Sequence, residues 1–163
     1  MMRARWSSVC GLALIVAGLG CADARVQPEE TAERFFRTVY GCTGESLDSL
    51  ASPSVRMSYP IFAERFGSPV LVGRDAIERF SAGFCQRWRE PDVTIHEVIA
   101  DAGRVVLVWS YSAVSADDSA STPERSSWGG ISVFELDDLG RVRAEYGEES
   151  APGPVARMTD RPR

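Results

Sequence analysis

This 163-residue chain contains no lysine, a single histidine and four cysteines, and each scarcity removes a class of chemistry. All 18 basic residues are Arg, which reads as codon bias in a GC-rich bacterium and not as a functional signal. The lone His96 has no cysteine near it in sequence, so a Cys/His zinc site and cysteine catalysis are both poorly supported. No phosphate-binding Gly-rich loop, Ser nucleophile motif or carboxylate metal cluster is present, and neither a metal nor a cofactor is expected. A net charge of −5 disfavours nucleic acid, whose phosphates call for a basic footprint. The longest apolar run is also too short to span a bilayer, which takes ~20 residues.

That run is nevertheless the most distinctive feature of the N-terminus. Arg3 and Arg5 precede the uncharged stretch 11–20 (GLALIVAGLG), and Cys21 follows it. A positive start, an apolar centre and small residues before a cut describe an export signal. A cysteine directly after Ala17-Gly18-Leu19-Gly20 resembles the bacterial lipobox, although Gly18 stands where that motif usually has Leu. The resemblance implies lipid on Cys21 and localisation to the bacterial cell envelope. The alternatives are a plain secretory signal cut near Ala22 or Ala24, or a short membrane anchor. Loss of Arg3 and Arg5 with the leader leaves 16 Arg against 23 acidic residues, a net charge near −7. Attachment to a membrane would then come from lipid and not from a basic patch.

Residues 21–27 form a short polar tether, 28–150 a single domain, and 151–163 have the composition of a disordered tail. Cys42 and Cys85 remain in the folded part, as a disulfide of an exported protein or as two separate buried thiols.

Pro28, Glu29 and Glu30 suit a first helical turn, and Ala32, Phe35, Phe36, Val39 and Tyr40 recur at helical spacing. A second short helix is predicted over 47–51 and a brief strand over 55–59, with loop from 60 to 73. Asp75 and Glu78 predict a capped third helix with Ile77, Phe80, Phe84 and Trp88 on its apolar face. Beyond Pro91 the periodicity changes to that of strands, predicted at 93–99, 104–114, 126–136 and 141–148. Helices followed by an antiparallel meander make an α+β pattern.

The order and spacing resemble SnoaL-like members of the nuclear transport factor 2-like superfamily. The likeness is carried by 73–77 (GRDAI), 98–106 (VIADAGRVV) and 131–142 (ISVFELDDLGRV). It implies a cone-shaped half-barrel, a cystatin-like roll with helices packed on a curved antiparallel sheet around a cavity. It also implies that Trp109 and Tyr111 turn inward, with Trp128, Ser132, Tyr146 and Glu148 on the same side and Tyr59 at the mouth. His96 lies on a strand apolar on both faces, so its direction is open.

Ketosteroid isomerase, a relative in this superfamily, pairs a carboxylate base with a Tyr and a protonated Asp. The corresponding places here hold Tyr59, either Phe35 or Phe36, and Ser132, so isomerase chemistry of that kind is not expected. Two readings follow. One is a non-catalytic cavity for a small apolar or aromatic molecule, lined by Tyr59, Trp109, Tyr111, Trp128, Ser132 and Tyr146. The other is a small lyase or isomerase, dehydratase- or cyclase-like, using Tyr59, His96 and an acid such as Glu148. The face carrying Val106, Val108, Ser110 and Ser112 is mildly apolar and offers a surface for a homodimer.

Overall fold

The computed structural model describes residues 27–117 and 124–159. The leader, Cys21 and the tether to residue 26 lie outside them. No helix among the described residues is long and apolar enough to cross a membrane.

Helix α1 (Pro28–Tyr40) begins with Pro in its first turn beside Glu29 and Glu30 and ends with Arg37, charges matched to the helix dipole. Its stripe of Ala32, Phe35, Phe36, Val39 and Tyr40 is buried. Residues 47–51 do not form the expected helix. Leu47 and Leu50 bury as a turn closed by the Ala51 N–H on the Leu47 carbonyl, and Ala51 already opens strand β1 (Ala51–Ser58).

The stretch expected as loop from 60 to 73 carries helix α2 (Pro60–Phe66) and strand β2 (Val70–Val72). Pro60 occupies the first turn of α2, a position where its missing N–H costs nothing. Helix α3 (Arg74–Arg87) starts one residue before the expected cap. Gly73 is its N-cap, and its carbonyl receives the Ala76 and Ile77 amides, leaving Asp75 as a first-turn acid and not a capping side chain.

Strands β3 (Trp88–Asp101), β4 (Arg104–Ser115), β5 (Arg125–Leu136) and β6 (Val142–Ser150) follow as an antiparallel meander. The sheet has six strands in the order β2-β1-β6-β5-β4-β3, with β1 parallel to β6 and every other pair antiparallel. Helices α1, α2 and α3 cover its inner face, and the core lies between them and the sheet. Phe35 meets Phe134 edge-on at 6.0 Å, and Phe36 meets Trp109 at 5.0 Å.

Cys42 and Cys85 are joined by a disulfide, with Cα atoms 5.7 Å apart, tying the end of α1 to the last turn of α3. The Ser81 hydroxyl donates to the Val39 carbonyl at 2.8 Å beside it.

Residues 151–159 are not a disordered tail, because helix α4 (Pro154–Thr159) follows β6. Gly153 lies directly against Gly129, which pairs with the outward Ser110, so the segment crosses the outer face of β4 and β5. The chain's own C-terminal segment therefore overlies part of the face that the sequence left open.

Candidate functional site

Two irregularities in the sheet decide which side chains reach the interior. Glu135 pairs with Ala144 and Leu136 with Val142, so Arg143 is an extra residue in β6. A bulge of one residue inverts the alternation beyond it. Tyr146, expected inside, is 48% exposed, and Glu148 also faces outward. Glu145 and Gly147 take the inner positions instead, and Glu145 is completely buried. The second irregularity is in β3, where Ile95 pairs with Trp109 and Glu97 with Val108, skipping His96. His96 is exposed on the outer face, with Nε2 2.9 Å from the Ser110 hydroxyl. The grouping of Tyr59 with His96 and Glu148 is thereby broken: the histidine lies across the sheet from the tyrosine.

The interior polar groups form one connected chain. The Trp109 indole can only donate, and it donates to Ser132 Oγ at 3.0 Å. Ser132 Oγ lies 2.8 Å from the Tyr59 phenolic oxygen. The Tyr59 hydroxyl donates to Glu145 Oε1 at 2.6 Å. Tyr40 sits beside this chain, its hydroxyl donating to Met57 Sδ at 3.7 Å.

Two glycines make the arrangement sterically possible. A Cβ on Gly147 would lie 2.1 Å from the Tyr59 ring, and one on Gly130 would lie 2.5 Å from the Trp109 indole. The phenol and the indole rest on the bare backbone of β6 and β5.

Burial dominates the acid–base character of these groups. It raises the Glu145 carboxyl to about 7, against the opposing hydrogen bonds from Tyr59 and Ser132. It also raises the Tyr59 and Tyr40 phenols well above their usual range, with the nearby Glu145 charge adding to the effect. Glu145 Oε2 has no hydrogen-bond partner, and neither has the buried hydroxyl of Tyr111, whose phenol burial lifts to about 12. Sequence reasoning missed Glu145, and the bulge at Arg143 is the reason.

Above this sealed base opens a cleft of about 840 Å³ between α2, the C-terminal half of α3 and the ends of β5 and β6. Its inner wall carries the rings of Tyr40, Phe80, Phe84, Trp88 and Trp128, with Tyr59 at its floor, and its rim carries Glu, Arg and Ser side chains. Trp128 packs at a tilt against Tyr111, with ring centroids 4.5 Å apart, and against Trp88 at 5.1 Å.

Of the six residues expected to contact a ligand, Tyr59 and Trp128 line this cleft. Trp109 and Tyr111 are core, each 2% exposed, Ser132 belongs to the base, and Tyr146 lies outside. Glu148 borders the mouth with Glu149, whose carboxyl burial raises while the Trp128 indole and the Arg65 charge oppose the shift. No group of three or more His, Cys, Asp or Glu suited to a metal ion occurs among the described residues.

The SnoaL-like domain family matches residues 32–145, most of the folded chain. The chain belongs to that family. Solved structures share the fold at low identity. A protein described as a SnoaL-like polyketide cyclase from Jannaschia sp. CCS1 is 17% identical, with a TM-score of 0.61 over 83% of this chain and 93% of its own. IdmH of Streptomyces antibioticus, described as a polyketide cyclase, is 13% identical with a TM-score of 0.64 over 82% and 99%. An LEH-like epoxide hydrolase of M. tuberculosis is 17% identical with a TM-score of 0.58 over 76% and 83%. Among curated proteins none matches the sequence. Identities this low establish the SnoaL-like fold and leave function to the site, because one fold hosts many chemistries.

Proposed function

We propose that this SnoaL-like chain is an exported, lipid-anchored protein whose cleft binds a small apolar or aromatic molecule without transforming it. The observation that carries the reading is the burial of the Tyr59–Glu145 pair beneath the cleft. Aromatic rings and a charged rim face the cleft, while the Tyr59 hydroxyl is turned into the sheet and bonded to Ser132 and Glu145. General acid–base catalysis needs a donor or acceptor within hydrogen-bond reach of the reacting group. An aromatic wall with sealed polar groups suits retention of a ligand. Lipid anchoring rests on Cys21 following the apolar run, and on the short tether before Pro28.

Native mass spectrometry of the exported protein tests these elements together. The expected result is a mature chain starting at lipidated Cys21, with the Cys42–Cys85 bond intact and a small molecule retained unchanged. Membrane fractionation and mature mass unaltered by Cys21→Ser would refute the anchor.

A second reading is favoured by one observation, the unpartnered oxygen of Glu145. In that reading the chain is a lyase or isomerase in which Glu145, titrating near neutrality, exchanges a proton with substrate after Tyr59 moves aside. His96 has no part in it. Conversion of a retained molecule that stops in Glu145→Gln would select this reading, and binding without conversion in both proteins would select the first.

A further inference from the structure

We propose that the molecule held by the cleft is an organic cation, its ammonium group seated against Glu149 and the Trp88–Trp128 pair. The inference rests on the binding reading above and names the ligand class.

The aromatic faces are the first argument. Trp88 and Trp128 lie 5.1 Å apart at an interplanar angle of 50°, and both line the cleft. The negative face of an indole is the strongest side-chain platform for a cation, and an alkylated ammonium loses little hydration on settling there.

The carboxylate is the second. Glu149 is half-buried in the same wall, at the end of β6, and no guanidinium makes an ion-pair contact with it among the described residues. The Trp128 indole hydrogen-bonds it, and it lines the same water-accessible space as the Trp88 and Trp128 rings. Arg65, on α2 across the cleft, is the positive group that acts on it in the empty protein.

The rest of the rim sets the sign of the field. Arg125 is committed to Glu90 at 2.8 Å and to the Ser112 hydroxyl at 3.3 Å. That leaves Glu64, Glu124, Glu148 and Glu149 around the cleft against Arg65 and Arg87, an acidic balance. The acidic net charge of the chain extends the same attraction to longer range. Arg87 is the group that would serve an anionic ligand, so an anion belongs in the test.

Three probes sharing a phenyl ring separate the terms: benzyltrimethylammonium, its uncharged carbon isostere neopentylbenzene, and benzenesulfonate. Their affinities for the full mature protein are read by calorimetry and tryptophan fluorescence. The cation should bind roughly tenfold tighter than the neutral isostere, and the anion weakest of the three. Glu149→Gln should narrow the gap between cation and isostere while leaving the isostere unchanged. Trp88→Leu should weaken the cation more than the isostere, a check that does not depend on the carboxylate variant folding well. Equal binding of cation and isostere, or preference for the sulfonate, would overturn the cation class and leave the binding reading standing. Failure of all three probes would overturn both.

Discussion

The base and the mouth of the cone are built from the same residue types and solve opposite problems. At the base, Trp109, Ser132, Tyr59 and Glu145 hand hydrogen bonds to one another in a space emptied of solvent. At the mouth, Trp88, Trp128 and Glu149 border a water-accessible cleft of about 840 Å³. A buried polar chain whose members bond one another specifies one packing, and here only Glu145 Oε2 is left over. Aromatic side chains packed on one side and open on the other are available for recognition. Residue identity alone does not separate the two roles; the backbone around each ring does. Gly130 and Gly147 draw the base rings onto the sheet, whereas Trp128 packs between Tyr111 and Trp88 with the cleft before it.

Substitutions at the two levels should therefore differ in kind. Trp109→Ala removes a core indole and its bond to Ser132, and should cost about 3–5 kcal/mol in denaturant unfolding. Trp128→Ala should cost distinctly less stability while abolishing ligand retention. Equal stability losses for the two would erase the distinction between base and mouth.

The next effect depends on pH. Burial holds the proton on Glu145 up to about 7, whereas the unfolded chain releases it near 4.5. Between those values the folded state carries more protons than the unfolded one, so stability should fall as pH rises from about 4.5 to 7 and then level off. The full drop is bounded by roughly 3 kcal/mol. Glu145→Gln should flatten this slope in unfolding curves recorded at roughly pH 5 and 8. A slope unchanged in that variant would remove Glu145 as its source.

Tyr59→Phe leaves Ser132 and Glu145 without the phenol and should destabilise by about 1–3 kcal/mol. Because the ring is kept, cleft affinity should change little, and a large loss of affinity would show that the hydroxyl reaches the ligand. The smallest effect belongs to the outer face. Tyr146→Ser should stay within about 0.5 kcal/mol of the parent and leave ligand retention unaltered.

The architecture was legible in the sequence because it rests on long periodic signals. The stripe from Ala32 to Tyr40 and the alternation through β4 override local exceptions. The site was less legible because it depends on parity, and parity is lost at a single residue. Nothing in Arg143 announces a bulge, yet it exchanges Tyr146 and Glu148 for Glu145 and Gly147 on the inner face. The irregularity at His96 likewise breaks the parity of β3, so that His96 faces outward while Ile95 and Val98 both face in. Helix α2 did carry a signal, Pro60 in a first-turn position, but seven residues bounded by Pro and Gly read as loop when no long periodic face supports them. Tyr59 and Trp128 were found because they lie before the bulge in β6 and on the unbroken strand β5.

Helix α1 also gives the molecule a direction. Its 13 residues span about 20 Å, with Tyr40 at the cleft and Gln27 at the far end of the cone. Residues 22–27 reach at most about 20 Å when extended. A lipid on Cys21 would therefore join the domain at the end of α1 opposite the cleft, and this short stem would leave the rim of the cup unobstructed.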